Sequence, residues 1–150
     1  MKMLASAALA AAMAFGCLAG SAQAQTADRT YDNGPVWTVS YVETKPGMFD
    51  DYMAYLAGPY KALQEAGCKR GDILAYHVLA VDSPREHEPD VILLIEFKNM
   101  AVFDRALSEL DKDSTSVFGS NPKANQAAVK REDIRTLRGG VTARELVFLK

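Results

Sequence analysis

The sequence predicts an α+β domain: one four-stranded antiparallel sheet with helices on a single face. Three observations predict it. Four short runs are rich in β-branched and aromatic residues. Two amphipathic stretches with apolar residues three and four apart separate them. The order along the chain is strand, helix, strand, strand, helix in two pieces, strand.

The elements follow in turn. Val36 to Thr44 (VWTVSYVET) is the first strand, and Pro46-Gly47 ends it with a turn. Asp50 and Asp51 fall where a helix N-terminus favours acids. Phe49, Tyr52, Met53, Leu56, Tyr60 and Leu63 then mark a helix, with a kink expected at Pro59 and a stop at Gly67. Ile73 to Val81 (ILAYHVLAV) is the second strand. Asp82 to Pro89 is a charged loop, and Val91 to Lys98 (VILLIEFK) is the most apolar strand and so a central one. Asn99 is a good N-cap for a helix buried through Phe103, Ala106, Leu107 and Leu110. Asp111 to Asn121 reads as a polar break. Lys123 to about Leu137 reads as a second helical piece stopped by Gly139-Gly140, and Thr142 to Leu149 as the last strand. This is the split βαβ order of the ferredoxin-like fold.

Such a sheet has helices for one face only. Yet Val91, Leu93, Ile95 and Phe97 alternate with Ile92, Leu94 and Glu96, and both sets are largely apolar. The second strand is apolar on both sides as well. A two-sided apolar sheet calls for another sheet against its open face, and a two-fold homodimer is the economical solution.

With these elements the chain resembles the dimeric α/β-barrel superfamily, in which two ferredoxin-like subunits pair sheet to sheet. The resemblance covers residues 36–150 and rests on strand order and on Lys45-Pro46-Gly47 before the first helix. Tyr76-His77-Val78-Leu79, Glu96-Phe97-Lys98-Asn99-Met100-Ala101 and Arg144-Glu145-Leu146-Val147 are similar to phrases in small exported bacterial proteins of unknown function. The superfamily includes haem-degrading and cofactor-free oxygenases as well as members without known activity, so the fold does not choose a function. No functional residue of those enzymes is carried over to a position of this chain.

The N-terminus predicts the address. Lys2, an apolar run from Met3 to Leu18, and Ser21-Ala22-Gln23-Ala24 form the three parts of a secretory signal peptide, cut after Ala24. The run is short and Ala-rich for a membrane span. Cys17 ends it, but Ala14-Phe15-Gly16 suits lipid attachment poorly. Cleavage leaves 126 residues and moves the formal net charge from −2 to −3. Residues 25–35 are then a flexible leader. The mild acidity gives no footprint for nucleic acid or for an anionic membrane. Cys68 becomes the single thiol, so no intramolecular disulfide forms; a buried, inert thiol is the expectation.

Candidate chemistry is sparse. His77 lies mid-strand among apolar residues, where burial favours a neutral imidazole able to act as base or haem ligand; its plainer role is a hydrogen-bonded core His. Glu96 interrupts the most apolar strand and needs a partner or a polar cavity. Arg144 and Glu145 point to opposite faces, so one shares its side. Thr38, Ser40, Glu96 and Arg144, if they line the inter-sheet space, make a polar patch in an apolar cavity; the alternative is a Glu96–Arg144 ion pair without a ligand. Trp37, Tyr41 and Tyr76 are aromatic faces for a planar ligand, or simply core. Glu86-His87-Glu88 and Asp90 have metal-ligating types, but adjacent loop residues seldom converge on one ion. Cys68 stands beside Lys69 and Arg70 but near a helix C-terminus, where the dipole opposes a thiolate.

The expected protein is an exported, sheet-to-sheet homodimer that binds a small apolar or aromatic molecule or serves an accessory role. Its weak ligand candidates are Thr38, Ser40, Tyr76, His77, Glu96 and Arg144. No metal and no cofactor is expected. The alternatives are a cofactor-independent or haem-linked monooxygenase using His77 or Glu96, and a purely structural interaction module.

Overall fold

The structure is a computed structural model and describes residues 29–150; the expected signal peptide and the first part of the leader lie outside the described residues. Strand β1 (Tyr31–Thr44) leads into helix α1 (Phe49–Tyr55), a π-turn (Leu56–Tyr60) and helix α2 (Lys61–Arg70). Strands β2 (Ile73–Ala80) and β3 (Val91–Phe97) follow. A 3-10 turn (Met100–Asp104), helix α3 (Leu107–Phe118), helix α4 (Asn121–Arg131) and strand β4 (Arg135–Phe148) complete the fold. The sheet is antiparallel with order β2-β3-β1-β4. Order and connectivity make it ferredoxin-like.

The first helical region departs from a plain kinked helix in an instructive way. Tyr52, Leu56, Tyr60 and Gln64 are all buried and stand four apart. On an ideal α-helix positions four apart rotate by about 40° per step, which would carry the last of them off the sheet. The π-turn holds more residues per turn and corrects that drift, and it does so at Pro59, which has no N–H to give. The helix runs past Gly67 and ends at Gly71, whose φ of 80° is the left-handed cap. Gly67 is glycine for space: a Cβ there would stand 2.5 Å from Ile73 Cδ1.

The core is the α1/π-turn face on the sheet centre. Val42 and Val91, cross-strand partners, meet Tyr52, Leu56 and Tyr60. Burial pushes the phenols of Tyr52 and Tyr60 above the ordinary value of 10.0. The Tyr60 hydroxyl is buried without a hydrogen-bond partner. In the unfolded chain both tyrosines ionise at their ordinary value, while the folded chain retains the protons. Stability is therefore expected to fall as pH rises above about 10. Tyr60→Phe removes an unpaired buried hydroxyl, so urea unfolding at neutral pH should show a gain of about 1 kcal/mol. The same variant should lose less stability in alkali; a loss at neutral pH would contradict this account of Tyr60.

Several boundaries differ from the sequence reading. Strand β1 begins at Tyr31, so residues 31–35 of the expected leader belong to the strand: Tyr31 pairs with Phe148, Asp32 with Val147 and Asn33 with Leu146, and the register shifts across Gly34-Pro35. Asp111 to Phe118 is helix rather than a polar break. The preceding helical stripe is split into the 3-10 turn, capped by Asn99 accepting from the Ala101 N–H, and α3. Helix α4 stops at Arg131, and β4 already begins at Arg135. Gly139-Gly140, expected as a helix stop, lies inside β4. The register slips there so that Tyr41 faces Gly139 and Val42 faces Leu137, leaving Arg138 as the extra residue. Gly139 has φ 127°, and a Cβ on Gly140 would lie 2.7 Å from the Val39 carbonyl oxygen. Pairing with β1 overrides the weak local strand propensity of this segment.

Candidate functional site

Register decides which candidate residues share a face. Val36 pairs with Phe97 and Arg144, Thr38 with Ile95 and Thr142, Ser40 with Leu93 and Gly140, and Tyr76 with Ile95. Cross-strand partners point the same way, and Val36 and Val42 are fully buried on the helix side. Thr38, Ser40, Tyr76 and Arg144 therefore belong to the helix side. Trp37 pairs with Glu96 and Ala143, and His77 with Leu94. His77 and Glu96 therefore belong to the open side.

The expected polar patch of Thr38, Ser40, Glu96 and Arg144 does not form, because the sheet separates Glu96 from the other three. The Glu96–Arg144 ion pair is excluded for the same reason. Glu145 is the residue that shares the side of Glu96, and its Oε2 accepts the Trp37 indole N–H at 2.9 Å. His77 is exposed rather than buried, since β2 is an edge strand and nothing among the described residues covers the open side. Of the three candidate aromatics, Trp37 and Tyr41 are on the open side. Tyr76 meets Tyr60 edge-on at 6.3 Å on the helix side.

The other sequence candidates are spread over the surface. Glu86-His87-Glu88 joins an ion network in which Arg138 pairs with Glu43 and lies 3.1 Å from His87 Nδ1. Hydrogen bonds from Arg85 hold the Glu88 carboxyl below its ordinary range. Among the described residues no three His, Cys, Asp or Glu side chains are grouped to hold a metal ion. Cys68 is a free, half-buried thiol on α2.

The open side is a broad apolar surface. Val39, Tyr41, Ile92 and Leu94 form its centre, with Leu79 and Val141 on the edge strands 45% and 51% exposed. Trp37–Glu145, Glu96 and His77 are polar groups on it, and Glu43 with Arg138 stands at its end near the β4 bulge. Among the described residues no helix packs on it.

A second site, on the helix side, was not foreseen. A cavity of about 360 Å³ opens between α2, the paired ends of β2 and β3, the 3-10 turn and α3. Its floor is Ile73, Ile95 and Phe97, and Phe103 stands over Phe97 with ring centroids 4.9 Å apart. Phe103 and Leu110, expected in a buried stripe, flank the mouth and are 46% and 42% exposed. The polar wall is an ion cluster drawn from four parts of the chain. Arg70 reaches Asp72 and Asp113, each at 2.9 Å. Arg105 reaches Asp113 at 3.0 Å, Glu109 at 3.3 Å and Asp72 at 3.6 Å. The bond to Asp113 raises the Arg105 guanidinium further above its ordinary value. These contacts fasten α3 to the end of α2 and the start of β2. Neither α3 nor α4 contributes a fully buried residue; the cluster ties α3 to the sheet end, and Arg131 at the end of α4 lies 4.7 Å over the Tyr55 ring.

The sequence held one partial signal of this cavity. Arg70 reads as a helix-end cation and Asp113 as part of a polar break. Their convergence over 43 positions has no local signature.

No protein-family profile and no curated protein matches the chain. Solved structures are similar at the level of overall shape. HapK from Hahella chejuensis is 8% identical with a TM-score of 0.47, over 73% of this chain and 91% of that one. Protein SO0527 from Shewanella oneidensis is 13% identical with a TM-score of 0.47, over 78% and 96%. A dimeric ferredoxin-like protein from an uncultured marine organism is 18% identical with a TM-score of 0.46, over 77% and 98%.

Proposed function

We propose that this chain is an exported small-molecule-binding or accessory protein that works as a sheet-to-sheet homodimer. The carrying observation is the uncovered open side of the sheet. An apolar surface spread over four strands is unusual on a soluble monomer and marks an interaction surface. The same face on a second copy matches it in shape and polarity, and a two-fold axis closes the assembly. His77, Glu96 and the Trp37–Glu145 pair then border the space between the sheets. Ligand binding is supported by the separate helix-side cavity, whose volume falls in the range of about 300–1,000 Å³ usual for small-molecule sites.

Light scattering of purified residues 25–150 tests the assembly. Twice the chain mass is expected, and a stable monomer at micromolar concentration overturns the sheet-packing reading. Export is tested on the full-length chain in a bacterial host. Periplasmic protein beginning at Gln25 is expected, and a cytoplasmic product that retains Met1 to Ala24 overturns it.

A further inference from the structure

We propose that the helix-side cavity takes a small aromatic amine, with its ring against Phe97 and Phe103 and its ammonium group on Asp72. The proposal names the ligand class for the small-molecule-binding reading above and rests on it. Two features of the cavity carry it: its shape with an aromatic wall, and the charge left over in its ion cluster.

The apolar part is built for a flat ring. Ile73, Ile95 and Phe97 form a continuous floor because all three lie on the helix side of paired strands. Phe103, tilted 58° to Phe97, is held over that floor by the 3-10 turn. A ring entering beside Phe103 covers apolar surface that now faces water. Gln64, only 8% exposed, places an amide in the wall and gives the cavity a polar group away from the mouth.

The charge decides the other end of the ligand. The cluster contains two guanidinium groups, Arg70 and Arg105, and three carboxylates, Asp72, Asp113 and Glu109. One negative charge is in excess. Arg70 Nε donates to Asp72 Oδ2 at 2.9 Å, and Arg105 Nη1 lies 3.6 Å from that same oxygen, an ion-pair distance. No side chain or backbone donor bonds Asp72 Oδ1 among the described residues, while Asp72 itself lines the cavity. Asp113 is engaged through both oxygens, one by Arg70 and one by Arg105. Glu109 is the more exposed acid and lies outside the lining. Asp72, a residue of the cavity lining, thus carries a carboxylate oxygen with no bonded donor among the described residues, in a cluster whose surplus charge favours a cation. A carboxylate ligand is the competing class, because Arg70 and Arg105 line the same cavity and their bonds to the acids use only Nε and Nη1; the surplus negative charge of the cluster is what disfavours it.

The test is a titration of isotope-labelled residues 25–150, followed by amide chemical shifts at low salt, with three probes of similar ring size. Phenethylamine is the cation, phenylacetate the anion and ethylbenzene the neutral control. Shifts are expected at Ile73, Phe97, Phe103 and Leu110, with phenethylamine binding about tenfold more tightly than phenylacetate. Asp72→Asn is expected to bring that ratio below about threefold. Phe103→Ala, at a half-exposed position that tolerates truncation, should weaken all three probes and leave the ratio intact. Equal or tighter binding of phenylacetate overturns the proposal, as does an unchanged ratio in Asp72→Asn. If ethylbenzene binds and the amine binds no better, small-molecule binding stands and the amine class falls. If no probe shifts the cavity residues, this cavity is not a small-ring site and both fall together. Light scattering on the same sample reads the dimer independently.

Discussion

Val39→Lys is expected to give a folded monomer. Val39 is on the central strand β1, on the open side of the sheet. Its cross-strand neighbours are Leu94 and Val141, and Trp37 and Tyr41 flank it along the strand. In a single chain that side faces solvent, so a lysine there costs only the packing and strand propensity of one valine. In a sheet-to-sheet dimer each interface buries two such ammonium groups without partners. Breaking a buried arrangement in this way costs about 3–5 kcal/mol, so the dimer dissociation constant should rise at least about 100-fold. Sedimentation velocity reads the assembly, and circular dichroism with urea unfolding reads the fold. A variant that stays dimeric while folded would place the interface elsewhere.

Tyr52→Ala should be the most damaging single truncation in the core. Tyr52 is 2% exposed, packs with Val42, Leu56, Tyr60 and Val91, and stacks on Tyr55 at a centroid distance of 6.1 Å. Large aromatic-to-alanine truncations of this kind cost about 3–5 kcal/mol, because the lost transfer energy is joined by an unfilled cavity. That is a large share of the total of about 5–15 kcal/mol available to a domain. The urea midpoint should drop sharply with the slope little changed. Protein concentration must be held fixed, since the proposed dimerisation would add to apparent stability. A loss below about 1 kcal/mol would mean that the α1 face is not the centre of the core.

The strands were legible because their signal is local. Val36–Thr44, Ile73–Val81 and Val91–Lys98 carry enough β-branched and aromatic residues to be read without a partner, and their two-sided apolarity is the basis of the proposed sheet-to-sheet packing. The misreadings occur where local chemistry and tertiary pairing disagree. Arg135 to Gly140 contains two glycines and two arginines and has little strand propensity, but the long β1 supplies it with a ladder of hydrogen bonds. Asp111 to Phe118 is rich in Asp, Ser and Thr, yet it stays helical with Asp113 fastened to Arg70 and Arg105. Gly67 and Gly140 read as punctuation, whereas each leaves room for a neighbour: Ile73 in one case, the Val39 carbonyl in the other.

The candidate site separates the two levels more sharply. By itself the sequence determined that Thr38 and Ser40 oppose Trp37 and Tyr41, and that Glu96 opposes Phe97, because side chains alternate along any strand. It could not determine which side of β3 joins which side of β1. A shift of one residue in register exchanges every such pairing, and only the paired sheet puts Glu96 with Trp37 instead of Thr38. The cavity is a tertiary product for a related reason. Arg70, Asp72, Arg105 and Asp113 sit on separate elements, and charges solvated apart in the chain become a bonded cluster only after β2 and β3 pair and bring the end of α2 against α3. The first three strands and the alternation of their sides follow from neighbouring residues; the start of β4, the helix over Asp111 to Phe118 and the grouping of side chains into sites follow from register and packing, which depend on residues far apart.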